Sequence, residues 1–458
     1  MNIVRWTMGC ALIAISAQVA LADEAVRTAF NYDLVGYQCG EPACNVADPG
    51  CACDDACCTD NCCSDSCCSG CCGNSCGSSC CCDRGSCLDG LCGDCCLGCP
   101  CRLKDHVSPC CWLDFGGWTQ LGYHDDNTRQ SQQFNDLRAF NDVPDQLNLH
   151  QQYFWFEKKA CAPCCGMDWG FRFDMLYGTD AQKTQAFGND NAQNRNQGKW
   201  DASLDHGEYG WAFPQLYGEV AFGDWSVIAG HFYTIVGYEV VPAPDNFFYS
   251  HSYTMFNSEP FTHTGALGTY SGVDNMDIYV GWVMGWDTGF DQSFGGNQFL
   301  GGVSTQLTNS TTFSYILTAG TFGQRSLGAD GYSHSIVFDT AVSCNLNYVF
   351  QSDLVSYNDF GLGGGSQVGI NQYLFYTVND CVSLGTRFEW WKSDGVVAAN
   401  DSASSYAWTY GLNYKPHANI VIRPEVRHNW LPAENAFIAN NGTDFNQTVF
   451  GIDAIFTY

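Results

Sequence analysis

The sequence has little positive charge, little proline and no long apolar run after residue 22. Only 19 Lys and Arg stand against 48 Asp and Glu, which gives a formal net charge of -29, and there are 13 Pro in 458 residues. Such an acidic chain is a poor partner for nucleic acid or for an anionic membrane surface. Without roughly 18 consecutive apolar residues, that part of the chain holds no transmembrane helix. The acidic residues either keep loops soluble or attract divalent cations and favour cation entry, and composition does not separate these interpretations.

The first 22 residues are typical of an export signal. Arg5 supplies the positive end, residues 6–19 are mostly apolar, and residues 20–22 form an A-x-A cleavage site. We therefore predict that 1–22 is a signal peptide, cleaved before Asp23, and that the mature chain enters an oxidising, extracytoplasmic space. An uncleaved anchor helix is the alternative, although the run is short for a membrane span.

Residues 23–111 form a Cys-rich, low-complexity segment with very little from which to build a core. No aromatic residue lies between Tyr37 and Trp112, and most of the 30 Cys of the chain lie there, many as neighbouring pairs. Three interpretations stay open: a disulfide-stapled or cross-linked module, a thiolate cluster that binds soft metal ions, and a tail with heterogeneous pairing. No spacing matches the paired CxxC pattern of zinc sites. We expect a largely irregular segment.

From Trp112 onwards apolar and polar residues alternate, which is typical of strands with one apolar face. In residues 169–177 the aromatic residues and Met fall on one face, while Gly170, Arg172 and Asp174 fall on the other. A soluble sandwich could bury such a face, so the succession of segments decides. Sixteen are predicted, each near the length of a tilted membrane strand: 112–123, 147–158, 167–178, 211–222, 225–236, 264–272, 276–287, 296–308, 311–322, 333–343, 347–357, 366–378, 381–391, 404–414, 418–430 and 446–458.

The connections between these segments alternate between short turns and long loops. This alternation is the pattern of outer-membrane barrels, with tight periplasmic turns and longer external loops. The last segment, 446–458, has apolar residues on alternate positions and ends on an aromatic, as expected for a lipid-facing strand that closes a barrel. The predicted fold is therefore all-β: a transmembrane antiparallel barrel of about sixteen strands over residues 112–458, preceded by the irregular Cys-rich segment.

If the aromatic faces meet lipid, the opposite faces line the lumen. The predicted pore-lining residues are charged and lie on those opposite faces: Arg172, Asp174, Glu219, Arg387, Glu389, Arg423, Glu425 and Arg427. Opposite charges two residues apart could set a transverse field in a channel, or they could simply pair with one another as hydrated lumen side chains. The sequence leaves both interpretations open.

The loop 237–263 is rich in aromatic residues, which is unusual for an external loop. We predict that it folds against the barrel interior and narrows it, with a set of available polar groups: Glu239, Asp245, His251, Glu259 and His263. Metal ligation by His251 and His263 is conceivable, but two scattered histidines are more often hydrated loop residues. No metal site, cofactor or catalytic residue is predicted, although divalent cations at acidic loops or thiolate-bound metal stay open.

Five later cysteines fall in predicted periplasmic turns and none in an external loop. They are the disulfide candidates of the barrel: Cys161, Cys164, Cys165, Cys344 and Cys381. Because an even barrel begins and ends on the side of its short turns, the Cys-rich segment would hang on that side too. We therefore expect it to pair with these thiols or with periplasmic partners.

Three stretches resemble one known family. Residues 171–182, 214–219 and 230–253 are similar to the OmpL-like β-barrel porin-2 family, and the resemblance runs from about Trp112 to Tyr458. It implies an outer-membrane location in a Gram-negative-type bacterium and passive transport, with no catalytic residues to transfer.

The predicted function is that of a porin for small polar solutes or ions, in contact with membrane lipids. The alternative is a structural envelope protein whose barrel is an anchor and whose Cys-rich segment links it to periplasmic partners. An outer-membrane enzyme is disfavoured because no triad or carboxylate pair is evident. A homotrimer is an analogy with porins of this size.

Overall fold

The structure is a computed structural model that describes residues 97, 102–104, 112–125, 140–162, 166–188, 199–358, 365–394, 402–430 and 446–458. Within these ranges, sixteen strands follow one another along the chain. They are β1 (Asp114–His124), β2 (Asn148–Lys158), β3 (Met167–Gly178), β4 (Gly210–Phe222), β5 (Trp225–Tyr233), β6 (Thr262–Val273), β7 (Met276–Val283), β8 (Asn297–Thr308), β9 (Thr311–Thr321), β10 (Asp330–Ser343), β11 (Leu346–Tyr357), β12 (Gly365–Asn379), β13 (Val382–Asp394), β14 (Ser402–His417), β15 (Ile420–Trp430) and β16 (Asn446–Thr457).

The strands form one closed barrel in which each strand pairs with its sequence neighbours. All pairs are antiparallel, and the ring closes between β1 and β16, with Trp118 opposite Thr457 and His124 opposite Gly451. Main-chain bonds of 3.0 Å in both directions between Gly117 and Tyr458 extend this closure to the last residue. The predicted sixteen-stranded antiparallel barrel is confirmed.

The two faces of each strand differ as the alternation predicted. In β16, Phe450 and Phe456 are exposed, whereas Val449, Asp453 and Ile455 are buried on the inner face. Since a membrane barrel meets lipid with its outer face, the exposed aromatic residues are suited to that surface. Fully buried Ile455 shows that the inner face also carries apolar residues where the interior is packed.

Short turns and long connections alternate around the ring, so that all short turns lie at one rim. The long connections hold the helices α1 (Ala181–Thr184) and α2 (Tyr253–Ser258) and the 3-10 helices Ala202–Leu204, Ala243–Asp245 and Gln324–Ser326. In the part of the chain that the structure describes, every helix is too short or too polar to cross a bilayer.

Two strands end earlier than predicted. The expected segments 225–236 and 276–287 end at Tyr233 and Val283. After β5 the chain leaves the sheet, and the Thr234 N–H donates to the Phe261 carbonyl at 3.0 Å, which brings the two ends of the following connection together. After β7, Gly285 has a φ of 99°, a left-handed conformation that ends the extended chain.

Candidate functional site in the barrel interior

The connection between β5 and β6, residues 234–261, runs across the inside of the barrel, and we call it the inner loop. Its Glu239 pairs with Arg387 of β13, with 2.6 Å between the oxygen and the nitrogen. In a ring of sixteen strands, β13 lies eight strands from β5, on the opposite side. A segment that starts at β5 and contacts the inner face of β13 must therefore cross the lumen. The inner loop occupies the place that the sequence predicted for loop 237–263.

Aromatic residues of the inner loop pack on the wall where the wall carries glycine. The Phe247 ring lies 4.7 Å from that of Phe375, centre to centre, and a Cβ on Gly385 would be 2.3 Å from Phe247. A Cβ on Gly451 would likewise be 2.7 Å from Tyr249. Glycine removes the side chain that would keep a ring away from the wall. The aromatic character of the loop therefore follows from its position on a smooth inner surface.

Arg387 binds the inner loop through both its charge and its hydrogen bonds. It pairs with Glu239 and donates to the main-chain oxygen of Ser250 at 2.7 Å. Glu239 in turn accepts the Ser252 N–H at 2.6 Å. Burial disfavours the Glu239 anion, but Arg387, His251 and the Ser252 N–H together outweigh that cost and hold the pKa of Glu239 below its usual range.

Arg423 of β15 makes a second connection between wall and loop. Its guanidinium binds Asp453 of β16 through two bonds of 2.9 and 2.6 Å. The same side chain donates to the main-chain oxygens of Ala243, at 2.9 Å, and Asn246. Because the group is 2% exposed, these bonds are made out of contact with bulk water. Such a bidentate pair fixes position as well as charge.

Glu389, Glu425 and Arg427 form the third group of contacts. Arg427 lies 2.8 Å from the Glu389 carboxylate and donates to a loop carbonyl. Glu389 accepts the Tyr253 N–H at 2.6 Å, and Glu425 accepts the Ser250 N–H at 3.1 Å. The charges of this wall are therefore used in mutual pairing and in holding the loop's main chain.

The other predicted pore-lining residues lie on the wall formed by β3 and β4. Arg172 pairs with Asp174 at 2.6 Å and with Glu157 at 3.3 Å. Glu219 accepts the Ser226 hydroxyl at 2.7 Å, nearer the rim of short turns. All eight predicted pore-lining residues thus lie on the inner face, but they form separate groups with local partners.

The remaining predicted loop residues are spread along the inner loop. Burial raises the pKa of Asp245 to about 6, against the opposing effect of Arg172. His251 bonds the Val240 carbonyl oxygen at 3.1 Å, whereas His263, in β6, bonds the Gly285 carbonyl at 3.1 Å. The two imidazoles thus have different partners and do not share a site. Among the described residues, no group of three or more His, Cys, Asp or Glu is placed to hold a metal ion.

Several residues that support the loop were missed by the sequence analysis. Asp453, the partner of Arg423, lies on the predicted inner set of β16, so its alternation was a usable signal. Gln151 of β2 donates to the Val241 carbonyl at 2.8 Å and accepts the Ala243 N–H at 3.1 Å. An uncharged Gln in a strand gives no such signal.

Three of the disulfide candidates fall in the described chain. Cys161 and Cys381 are disulfide-bonded, and they lie at turns six strands apart, too far to be bonded to each other. Cys344 is a free, exposed cysteine, contrary to its place among the candidates. Its turn is two strands, roughly 10 Å, from that of Cys381, beyond the reach of a disulfide. Cys164 and Cys165 lie outside the described residues, as does most of the Cys-rich segment.

Residues just before the barrel contact the rim of short turns. The Ala418 N–H, in the turn between β14 and β15, donates to the Leu97 carbonyl at 3.0 Å. Lys104 lies 3.4 Å from Asp114 at the start of β1. The described end of the 23–111 segment is therefore at the same rim as Cys161, Cys344 and Cys381.

A closed barrel with an apolar outer face, crossed by an inward-folded loop, defines the porin class of membrane protein. The chain belongs to the family described as "Putative beta-barrel porin-2, OmpL-like", whose model matches residues 112–458. This confirms the resemblance stated from the sequence. The family and the barrel fold support an outer-membrane location.

Solved outer-membrane structures resemble this barrel at low sequence identity. The anion-selective porin from Comamonas acidovorans is 10% identical with a TM-score of 0.53, covering 76% of this chain and 99% of its own. The outer membrane channel DcaP of Acinetobacter baumannii is also 10% identical, with a TM-score of 0.49, 76% of this chain and 97% of its own covered. At such identity the likeness concerns the fold alone. A comparison with curated proteins found no match.

Proposed function

We propose that this protein is an outer-membrane porin through which small polar solutes diffuse passively. The observation that carries the proposal is the inner loop, which crosses a closed barrel and is bonded to its far wall at Arg387 and Arg423. A loop held inside a barrel of this size sets the width of a passage, because sixteen strands enclose more space than side chains alone fill.

The paired charges favour a role in positioning the loop over a role as free charges in a transverse field. Arg387, Arg423 and Arg427 are at most 2% exposed and bonded to loop carbonyls. Selectivity would then depend on the groups left facing the remaining passage. The first experiment is planar-bilayer conductance of the refolded mature protein; a well-folded barrel without channel activity would contradict the proposal.

Reversal potentials of Arg423→Ala and Arg427→Ala channels separate the two roles of these arginines. If they position the loop, conductance and its noise change while the preference for cations or anions is kept. If they act as free charges, the reversal potential shifts toward cation selectivity. Arg172→Ala, on β3, four strands around the ring from β15, is the matched control, because Arg172 is bonded to Asp174 instead of the inner loop.

A structural role in the envelope is the second candidate, and two observations favour it. The charged wall is largely buried beneath the inner loop, and Cys161 and Cys381 are disulfide-bonded at the rim that the Leu97 contact shares. In this proposal the barrel is an anchor in lipid, and the Cys-rich segment lies in the periplasm, where it staples itself or cross-links partners.

Non-reducing electrophoresis of isolated envelopes tests this role. High-mass adducts that disappear on reduction support cross-linking through disulfides. A monomer or trimer band that a reductant leaves unchanged contradicts it. The porin and the structural role can coexist, so the conductance measurement is made on both the oxidised and the reduced protein.

A further inference from the structure

A buried carboxyl pair lies between the inner loop and β11, and the porin function does not use it. Glu259, just after α2, and Asp353, on the inner face of β11, are each 1% exposed. The amide of Gln351, two residues before Asp353 on the same face, donates to the Glu259 carboxylate. Glu259 and Asp353 act on one another electrostatically. Two acidic groups are thus brought together out of bulk water.

The Asp353 carboxylate is unpartnered. The Ser335 hydroxyl, directly opposite in the β10–β11 register, and the Gln351 amide lie near this carboxylate. Neither reaches it with hydrogen-bond geometry, so both Asp353 oxygens and the Ser335 hydroxyl are left without a formed hydrogen bond among the described residues. Buried polar atoms in native structures are nearly always hydrogen-bonded or bind water or an ion. Three orphaned oxygens on adjoining strands therefore point to an occupant that belongs to the site.

Among the described residues, no Lys or Arg is paired with either carboxylate. Arg325 acts on Glu259 through space, but its guanidinium is bonded to Asp287 and to the Phe256 carbonyl. Two uncompensated carboxylates in a buried site would carry a large free-energy penalty. A cation at the pair removes that cost directly.

We propose that Glu259, Asp353 and the Ser335 hydroxyl form a binding site for a hard cation of the Ca²⁺ class. Carboxylate oxygens are ligands that such ions prefer, and water completes a coordination shell of six to eight. The Ser335 hydroxyl adds a neutral oxygen beside them. The site has two acidic groups, so we expect a weak, exchangeable ion. Its occupant would tie the end of the inner loop to β11, independently of whether the barrel conducts.

A shared proton is the competing occupant. Burial, together with the nearby Asp353 carboxylate, raises the pKa of Glu259. A protonated pair would balance the charge with no metal. The test must therefore distinguish a bound ion from a bound proton.

Calcium titration of the mature protein in detergent, followed by calorimetry, gives the test. Because the chain is acidic throughout, the measured quantity is the difference in bound Ca²⁺ between the wild type and Asp353→Asn or Glu259→Gln. Both changes are close in shape to the native residues, and each checks the other if one variant folds poorly. Asp339→Asn is the matched control, since Asp339 is an inner-face carboxylate of β10 that is already bonded to Asn347 at 2.8 Å.

The proposal predicts that both site variants lose one Ca²⁺ per chain and that Asp339→Asn keeps it. Equal stoichiometry in all four proteins would overturn it. Infrared spectra supply the second readout: a protonated-carboxyl band that persists at saturating Ca²⁺ and disappears in Asp353→Asn would show a shared proton and reject the metal.

Discussion

Replacing Gly385 by Ala should loosen the inner loop from the barrel wall. The new methyl group would lie 2.3 Å from one carbon of the Phe247 ring and 2.8 Å from two others. Carbon atoms in contact prefer a separation of about 3.5–4.0 Å. The ring must therefore move by about 1.2 Å or more, while Phe375 and Phe248, with centres 4.7 and 5.0 Å away, pack against it.

The expected cost is about 1–3 kcal/mol, which is typical when an extra methyl group enters a well-packed interior. If the whole cost weakens the docking of the loop on the wall, the population of undocked loop rises about 5–150-fold. Hydrogen exchange reports such local opening. The main-chain N–H groups of Ser250 and Tyr253, which donate to Glu425 and Glu389, should exchange faster by the same factor.

The assay is hydrogen exchange with mass spectrometry on the folded protein in detergent, followed by single-channel recording. Gly218→Ala is the matched control, because a Cβ there meets no atom within 4 Å. We expect wild-type exchange in the control and accelerated exchange confined to loop peptides in Gly385→Ala. Indistinguishable exchange in the two variants would refute the argument that wall glycines make room for the loop.

Three further predictions concern other parts of the described chain. Arg423→Met leaves Asp453 buried without its cation and should destabilise the barrel to urea by about 3–5 kcal/mol, whereas adding Asp453→Asn should restore part of this; equal losses in the single and double variants would exclude coupling. Burial raises the pKa of Asp201, in the β3–β4 connection, to about 7. Ionised Asp201 therefore destabilises the folded connection, and this loss of stability grows as the pH rises from about 4, near the unfolded pKa, and is complete above 7. The rate of proteolysis of this connection should therefore increase more between pH 5 and pH 8 in the wild type than in Asp201→Asn. An identical pH response in both proteins would contradict this. Cys344, free and exposed, should react with a maleimide without reductant, as peptide mapping would show; labelling only after reduction would mean that it is bonded.

The barrel was predictable because its signals are local and repeated. Alternation located every strand, and β16 shows why: outward Phe450 and inward Asp453 obey a period of two set by backbone geometry alone. The ends of β5 and β7 were less predictable. They depend on where the chain leaves the sheet, as at Gly285 with its φ of 99°. The alternation of apolar and polar residues does not indicate that position.

The interior could be predicted only as a set of residues, without its partners. The sequence places Arg387 and Glu389 on an inner face, but it does not say that Arg387 bonds the Ser250 carbonyl across the lumen. Main-chain oxygens are the same at every residue, so no pattern of side chains indicates which of them will accept a hydrogen bond. The orphaned Asp353 is likewise invisible in sequence, because its lack of a partner depends on the packing of α2 and β10 around it.

The wall arginines recognise the inner loop by its main chain, and this has a consequence for how the protein can change. The oxygens bound by Arg387 and Arg423 belong to Ser250, Ala243 and Asn246, yet any residue at those positions would offer the same oxygen. Loop side chains that neither bond nor pack on the wall are thus free to vary in size and polarity while the loop keeps its path, whereas Glu239, Phe247 and Tyr249 are not. A designer, or natural selection, can alter what passes by substitution in this loop without rebuilding the barrel that holds it.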